Sequence, residues 1–385
     1  MLLSIISFTM LALSRASAAS PDTAISRAIT ATEALQTWYN RATGIWDTCG
    51  WWNGANCMTT LADLATLKLN DSVNGVAKDV FQNTFSVAPN SNPYPERGID
   101  ADYTSENGIS YSQTLDKKVP TGAANALLWL DGSYDDDAWW GLAWVAAYDA
   151  TGQTDYLDLA EGIFYHLCGN GGIDSDYTHV YVGAVANELY LALAAQLANR
   201  ASDSEYYLDW AKRQWSWFRG SGLINENYTI NDGLTNDCAN NGATVWTYNQ
   251  GIILGGLVEL NRAVDNESSS NSTYLQEAQK IAMGAIAALT DDDYVLHEPC
   301  EPDSCGADQT QFKGIFMRNL RHLHEVAPND TYAQVVNASA QSLWANDRND
   351  ENQFGVDWSG PVDNAKVDAS TQSSALDALV AAIWK

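Results

Sequence analysis

Basic side chains are scarce in this sequence. Its 385 residues include 20 Lys and Arg against 48 Asp and Glu, which gives a formal net charge of -28. A chain this acidic repels the phosphates of nucleic acids and the anionic head groups of lipid surfaces. We therefore expect no nucleic-acid partner and no membrane partner, whereas an uncharged ligand such as a neutral glycan is not opposed.

Long apolar runs are also missing beyond the first residues, since no later stretch reaches the roughly 20 residues that span a bilayer. Leu2 to Leu13 is apolar and small residues follow around Ala16 and Ala18, although no Lys or Arg precedes them. This pattern is typical of a secretory signal peptide with an A-x-A cleavage site. We expect residues 1–19 to be removed and the protein to be secreted, to the extracellular space or the cell wall. The last residues, ALVAAIWK, lack the long tail of a lipid-anchor signal.

Motifs for cofactors and metals are absent. The sequence has no phosphate-binding loop, dinucleotide fingerprint, nucleophile-elbow serine or CxxC pair, and its five histidines lack ligand spacing. Calcium is an alternative for the acids around Asp131 and for the run 291–293, but their spacing does not match an EF-hand loop. We therefore predict neither a metal site nor a cofactor.

Cysteines are few, and their number is even. They lie at positions 49, 57, 168, 238, 300 and 305. In a secreted chain such a set favours disulfides over metal binding. Short spacing favours the pairs Cys49–Cys57 and Cys300–Cys305, which leaves Cys168 for Cys238.

Asn-x-Ser/Thr sequons mark candidate glycosylation sites in a secreted chain. They lie at Asn70, Asn227, Asn266, Asn271, Asn329 and Asn337. Because glycans are bulky, each Asn that carries one must be at the surface.

Helical periodicity is the dominant pattern that is present, with apolar residues recurring at spacings of three and four. It predicts an all-α fold of twelve helices. The first six predicted helices cover residues 22–39, 53–67, 72–85, 135–151, 155–167 and 179–197. The second six cover residues 203–219, 248–264, 272–289, 308–326, 331–346 and 369–384.

The links between these helices alternate in length: each odd-numbered helix is followed by a long link and each even-numbered helix by a short one. Consecutive antiparallel helices place alternate links at opposite ends, so all long links should share one face. We therefore predict a single domain over residues 20–385, an (α/α)6 barrel with the even helices inside. Function commonly lies on long loops over a rigid scaffold, and many of the 15 tryptophans fall on the long links or the first turns beneath them.

The fourth predicted helix begins with YDDDAWWGLAW, from Tyr134. Residues three and four apart share a helix face, so Asp135 and Asp136 lie above Trp139 and Trp140. Sugar rings present apolar faces to aromatics and hydroxyls to carboxylates, and two acids commonly cleave glycosidic bonds. Alternatively, acids in a first helical turn act only as caps and partners of the helix dipole, and inward tryptophans only as core.

A family resemblance adds to this pattern. YDDDAWWGLAW, together with TYNQGIILGGL from Thr247, QFKGIFMRNL from Gln311 and TQSSALDAL from Thr371, resembles the secreted fungal α-1,6-mannanases of glycoside hydrolase family 76. The resemblance covers essentially the whole mature chain. It implies an (α/α)6 barrel, α-mannan as the substrate, and retaining hydrolysis by two adjacent aspartates. Because related sequences carry a non-acid at the third position, it maps the nucleophile onto Asp135 and the acid/base onto Asp136, which leaves Asp137 as a cap or supporting group.

Adjacent acids also suit retention on chemical grounds, since a carboxyl separation of about 5 to 5.5 Å fits retaining enzymes and a larger one fits inverting enzymes. Around this pair we predict a set of substrate contacts from the starts of the even helices, with core packing as the alternative for each. The set is Trp51, Trp52, Asn53, Trp139, Trp140, Trp246, Tyr248, Gln250, Lys313 and Gln372.

Two other functions remain open. A cell-wall transglycosidase would use the same site to transfer mannosyl chains, although its relatives carry an anchor tail that this sequence lacks. A non-catalytic glycan-binding or wall-structural protein would use the acids only as helix caps. In each case we expect a monomer that binds mannan polysaccharide or oligosaccharide.

Overall fold

The computed structural model describes residues 19–94, 124–167, 183–264 and 272–384. Twelve α-helices dominate this part of the chain, as the periodicity predicts. The first six are α1 Pro21–Gln36, α2 Trp51–Thr66, α3 Asp71–Val87, α4 Tyr134–Thr151, α5 Thr154–Leu167 and α6 Ala184–Ala198. The others are α7 Ser204–Gly220, α8 Thr247–Val264, α9 Thr273–Leu289, α10 Gln309–Val326, α11 Asp330–Asn346 and α12 Ala369–Ala381.

The even-numbered helices form a closed ring. Helix α2 packs against α4, α4 against α6, α6 against α8, α8 against α10, α10 against α12, and α12 returns to α2. The odd-numbered helices pack on the outside of this ring, for example α5 on α4 and α7 on α6. This arrangement confirms the predicted (α/α)6 barrel.

Burial separates the two rings. In α6, 13 of 15 residues are buried, because neighbours surround this helix on all sides. In α7 only five of 17 residues are buried, and they form one apolar stripe, as in an outer helix with a solvent face. The buried hydrophobic side chains form one connected core that includes residues of all twelve helices.

The helix boundaries and link lengths agree with the prediction, apart from a few residues at helix ends. The first helix ends at Gln36 rather than at Tyr39, because Tyr39–Asn40 forms a short strand β1 that pairs antiparallel with β2, Ile45–Trp46. The predicted start of the sixth helix, residues 179–182, lies outside the described residues. The links after the odd helices are again the long ones, and short 3-10 helices occupy residues 88–91 and 126–129 of the α3–α4 link.

The cysteines correct one prediction. Cys300 and Cys305 form a disulfide, as expected. Cys49 and Cys57 are free thiols that contact each other, and the fully buried Cys57 thiol donates to the Ala369 carbonyl oxygen at 3.6 Å. The predicted Cys49–Cys57 bond is therefore wrong. Cys238 is free and exposed, whereas its predicted partner at position 168 lies outside the described residues.

The described sequons occupy different settings. Asn70 and Asn329 cap α3 and α11 through their side-chain oxygens, and Asn337 accepts from Trp384 Nε1 at 3.0 Å. Asn227 is exposed on the α7–α8 link, while positions 266 and 271 lie outside the described residues. None of the described helices combines the length and the hydropathy that crossing a bilayer requires.

Candidate active site

Helix α4 presents its three acids at the end of the barrel that carries the long links. The helix starts at Tyr134, after Ser133, and the Ser133 hydroxyl donates to Asp135 Oδ1 at 2.6 Å. Because the first amides of a helix are unpaired and its dipole is positive there, this position stabilises the ionised carboxylate. Asp135 is therefore a partly exposed carboxyl group that accepts this hydrogen bond at the helix start.

Asp136 differs from its neighbour. Burial raises its pKa well above the usual range, and the negative charges of Asp131 and Asp135 raise it further. Asp136 also shares a side-chain hydrogen bond with Asp131, whose carboxylate in turn accepts from the Ser133 amide at 2.9 Å. The raised pKa favours the protonated form of Asp136, so this acid can donate a proton while its neighbour attacks.

Asp137 has a structural contact. Its side chain is fully buried, and its Oδ1 accepts from the Asp131 amide at 2.9 Å. The carboxylate therefore ties the loop before α4 to the first turn of that helix.

Aromatic rings from α2, α4, α8 and α10 line the same end of the barrel. Trp52 stacks on Trp139, with ring centres 5.7 Å apart and an interplanar angle of 26°. Tyr248 stacks on Phe312 at 3.8 Å and 3°. Trp246 meets the edge of Phe312 at 5.7 Å. We call this group, Trp52, Trp139, Trp246, Tyr248 and Phe312, the aromatic wall.

The aromatic wall has polar neighbours. Trp52 Nε1 donates to Asp308 Oδ1 at 3.1 Å, which links α2 to the α9–α10 link. Burial raises the pKa of Tyr248 strongly, and the nearby charges of Asp232, Glu188 and Asp135 add to this effect. Stacked rings beside carboxylates are the arrangement that sugar binding requires, with apolar faces for the ring and acceptors for the hydroxyls.

Two predicted tryptophan contacts lie in the core instead. Trp140 is completely buried, and its ring centre lies 4.7 Å from that of Trp51 and 4.8 Å from that of Trp129. Trp51 is 6% exposed. The two rings face the gap between α2, α4 and the 3-10 helix at 126–129, so they pack against protein and not against a ligand.

Four side chains predicted as polar substrate contacts form hydrogen bonds or an ion pair within the protein instead. Gln250 accepts from the Ile230 amide and donates to its carbonyl, and Gln372 accepts from the Phe354 amide. Both side chains fasten long links to the inner helices. Asn53 Oδ1 accepts from the Gly50 amide at the start of α2, and Lys313 Nζ lies 2.5 Å from Glu301 Oε1. All four side chains are at most 2% exposed, which removes them from a cleft surface.

Other side chains at this end were missed by the sequence reasoning. Phe312 is central to the aromatic wall, and Asp131 contacts Asp136. Glu188 on α6 is fully buried, and both of its carboxylate oxygens lack a hydrogen-bond partner in the described structure. Asp232 lies near enough for its charge to raise the pKa of Glu188 beyond the effect of burial. Glu188 lies near the start of an even helix, which was the available signal, whereas Asp232 lies in the middle of the α7–α8 link and carried no such signal.

Comparison with known proteins identifies the family. The model of glycosyl hydrolase family 76 matches residues 23–385. The chain belongs to glycosyl hydrolase family 76. Mannan endo-1,6-alpha-mannosidase DCW1 of Candida albicans is 33% identical over 214 residues, which cover 48% of this chain and 46% of that protein. A putative mannan endo-1,6-alpha-mannosidase of Schizosaccharomyces pombe is 28% identical over 232 residues, 54% of this chain and 51% of that protein.

The match to these curated relatives spans about half of their length. Solved structures of the family cover more of the chain. The alpha-1,6-mannanase of Salegentibacter sp. superposes with a TM-score of 0.70 at 20% identity, over 93% of this chain and 98% of that one. Dfg5 from Chaetomium thermophilum, in complex with glucosamine, superposes with a TM-score of 0.70 at 19% identity, over 96% and 91%. At this identity the likeness shows the shared fold of family 76.

Proposed function

We propose that this family 76 protein is an endo-acting α-1,6-mannanase that hydrolyses α-1,6-mannosidic linkages with retention of configuration. The observation that carries the proposal is the difference between two neighbours, Asp135 and Asp136. Asp135 accepts a hydrogen bond at the start of a helix, whereas burial and adjacent acids raise the pKa of Asp136. Helix capping alone requires neither a second acid nor the raised pKa of Asp136.

In the first step, a carboxylate oxygen of Asp135 attacks the anomeric carbon as Asp136 gives its proton to the glycosidic oxygen. The bond to the leaving sugar breaks, and a mannosyl ester forms on Asp135. In the second step, Asp136 removes a proton from water while the water oxygen attacks the same carbon and releases Asp135. Two displacements retain the configuration. Asp131 supports both steps, because its hydrogen bond and its charge favour the protonated form of Asp136.

The aromatic wall and the net charge support a neutral glycan as the substrate. Trp52 and Tyr248 are partly exposed and offer ring faces for the apolar side of a sugar, and an overall charge of -28 does not repel an uncharged polymer. Named relatives are mannan endo-1,6-alpha-mannosidases. An inactive variant of the Salegentibacter enzyme, with two consecutive aspartates replaced, was solved with alpha-1,6-mannotetrose. These observations favour α-1,6-mannan and attack within the chain.

The cellular setting is part of the same proposal. We propose that residues 1–19 are a signal peptide, that residues 20–385 form one catalytic domain, and that the protein acts as a monomer outside the cell or in its wall. The disulfide Cys300–Cys305 fits an oxidising compartment. Exposed Asn227 is the described sequon with the most accessible setting for a glycan.

A second candidate is transfer of the mannosyl group to another sugar. The structural likeness to Dfg5, which was solved in complex with glucosamine, is the observation behind it, because that protein binds a sugar that could take the place of water. The first step is unchanged in this case. In the second step a sugar hydroxyl replaces the water.

One digestion separates these functions. Linear α-1,6-mannan is incubated with the protein in ¹⁸O-water, and products are sized over time while NMR reports the anomer released first. We expect internal cleavage to short oligosaccharides, α-anomers first, and one labelled oxygen per new reducing end. Elongated products with little label would identify the transferase. Mannan that binds without any change in length would refute both reactions.

A further inference from the structure

Three side chains from two long links converge away from the acids of α4. His297 and Glu301 belong to the α9–α10 link, and Asp357 belongs to the α11–α12 link. One potential metal-ligating atom from each lies within 4.8 Å of the other two, and all three residues are partly buried. His297 Nδ1 is 2.7 Å from Glu301 Oε2, and His297 Nε2 is 3.3 Å from Asp291 Oδ2.

A buried acid lies beside this cluster. Asp347, at the end of α11, is 1% exposed, and among the described residues its carboxylate has the Gly355 backbone amide beside it but no side-chain hydrogen-bond donor. Together with Asp357 it lines a cavity of about 260 Å³ between the two links. Burying a carboxylate is costly unless a cation or donor compensates. The cavity offers the carboxylate oxygens of Asp347 and Asp357 next to the cluster, and Lys366 also lines it.

Lys313 places a positive charge beside the cluster. Its Nζ is 2.5 Å from Glu301 Oε1, the oxygen that does not contact His297, and 4.2 Å from the ring centre of Trp358. The charge of this ammonium acts on the carboxylates of Glu301 and Asp347. The disulfide Cys300–Cys305 encloses Glu301 and restrains its loop.

We propose that His297, Glu301 and Asp357 bind a divalent first-row transition-metal ion, of the Zn²⁺ or Mn²⁺ type, which clamps the two links together. An imidazole nitrogen combined with carboxylate oxygens suits such ions better than Mg²⁺ or Ca²⁺, which prefer oxygen ligands alone. The ion takes the place of the proton shared by His297 Nδ1 and Glu301 Oε2, and that proton leaves to solvent.

The required movement differs between the ligands: the Asp357 atom, within 4.8 Å of the other two, would approach by up to about 1.5 Å, and the other pair would move less. Zinc bonds to nitrogen and oxygen of about 2.0–2.2 Å in a tetrahedral site place two ligand atoms about 3.3 Å apart. The present 2.7 Å separation between His297 Nδ1 and Glu301 Oε2 would open by about 0.6 Å. Asp357 would complete three protein ligands, and water the fourth position.

Calorimetric titration of the full-length protein, after EDTA treatment and dialysis, tests this site. Zn²⁺ and Mn²⁺ are the probes, Ca²⁺ and Mg²⁺ the comparison ions. We expect one Zn²⁺ or Mn²⁺ per chain, weaker binding at pH 5.5 than at pH 7.5 because protonated His297 cannot ligate, and at least a tenfold loss of affinity in both Asp357→Asn and His297→Gln. Asp292→Asn is the matched control, since Asp292 is exposed on the same link and outside the cluster.

The melting temperature of the wild-type protein gives a second readout that does not depend on the variants folding. Zn²⁺ should raise it in the wild type and in Asp292→Asn, and EDTA should reverse the rise. Absence of stoichiometric binding in the wild type would overturn the proposal. So would equal affinity in Asp357→Asn and Asp292→Asn, or a preference for Ca²⁺ over Zn²⁺ and Mn²⁺.

Discussion

The two ends of the barrel treat their acidic side chains in opposite ways. At the end with the short links, Arg200 donates to both carboxylate oxygens of Asp149 and to Glu259 Oε2, at 2.8 to 2.9 Å. At the end with the long links, Glu188 lacks a hydrogen-bond partner in the described structure, and the charges nearest Asp136 are other carboxylates.

These different surroundings shift the pKa values of the acidic side chains in opposite directions. Burial raises the pKa of Glu259, but Arg200 outweighs it and leaves the pKa below its usual value. The pKa of Asp136 is raised by both burial and its neighbours. Charges at the short-link end are therefore paired in a way that stabilises the fold. The long-link end keeps carboxyl groups that can hold a proton or meet a ligand.

The largest expected effect is the loss of activity when the proton donor at the long-link end is replaced. Asp136→Asn keeps the side-chain shape but cannot donate and regain the catalytic proton, so kcat on α-1,6-mannan should fall about 1,000-fold. Asp137→Asn is the matched control, because its amide oxygen can still accept from the Asp131 amide and much of the activity should remain. Initial rates of reducing-end release measure both. Equal losses in the two variants would contradict the assignment of roles.

Removing the ion pairs at the short-link end should lower the free energy of unfolding and leave catalysis unchanged. Arg200→Ala leaves Asp149 and Glu259 without their shared partner, so the free energy of unfolding should fall by about 3 kcal/mol. Arg213→Ala removes an exposed pair with Asp209 on α7 and should cost less than about 1 kcal/mol. Urea titrations measure both, and kcat/KM at 20 °C should match the wild type. A large loss of kcat/KM in folded Arg200→Ala would show that the ends are not independent.

Substrate binding should depend on tryptophans of the aromatic wall and not on tryptophans elsewhere in the barrel. Trp52→Ala removes the ring stacked on Trp139 and the hydrogen bond to Asp308, so kcat/KM on mannan oligosaccharides should fall about tenfold. Trp344→Ala, on outer helix α11, tests whether any tryptophan loss has this effect. It should leave kcat/KM unchanged. A similar fall in both variants would remove the wall from substrate binding.

The smallest expected effect is a change in pH dependence. In Asp131→Asn the negative charge that favours protonated Asp136 is gone, so the pKa of Asp136 should fall and its proton should be lost at a lower pH. The alkaline limb of the kcat/KM profile should therefore move toward acid pH. Asp237→Asn, exposed on the α7–α8 link, is the control and should leave the profile in place. An unchanged limb in Asp131→Asn would exclude Asp131 as a positioning residue.

The sequence was sufficient for the fold because each level of the barrel leaves a local pattern. Apolar spacing marks the helices, and the alternation of short and long links marks which end each link occupies. It was also sufficient to choose the start of α4 as the candidate centre. The error at Tyr39 arose because that residue continues the apolar spacing of α1 while pairing with Trp46 in a strand.

The details of the candidate site were harder to predict, because a residue near an even-helix start can face the cleft or a neighbouring helix. Trp52 and Trp51 are adjacent in sequence, yet Trp52 joins the aromatic wall and Trp51 packs against Trp140 in the core. Gln250 and Gln372 resemble sugar ligands in sequence but bind backbone groups of long links. Such contacts join residues far apart in the chain, so local spacing does not reveal them.

In the proposed mechanism Asp135 forms a covalent mannosyl ester, and Asp136 acts as the general acid and then as the general base. Trapping the wild-type protein with a slowly reacting fluorinated α-mannoside, followed by peptide mass spectrometry, tests it most directly. We predict one mannosyl adduct on the peptide that starts α4, localised to Asp135 and absent from Asp135→Asn. An adduct on another carboxylate, or turnover that inverts the anomeric centre without any adduct, would contradict this assignment.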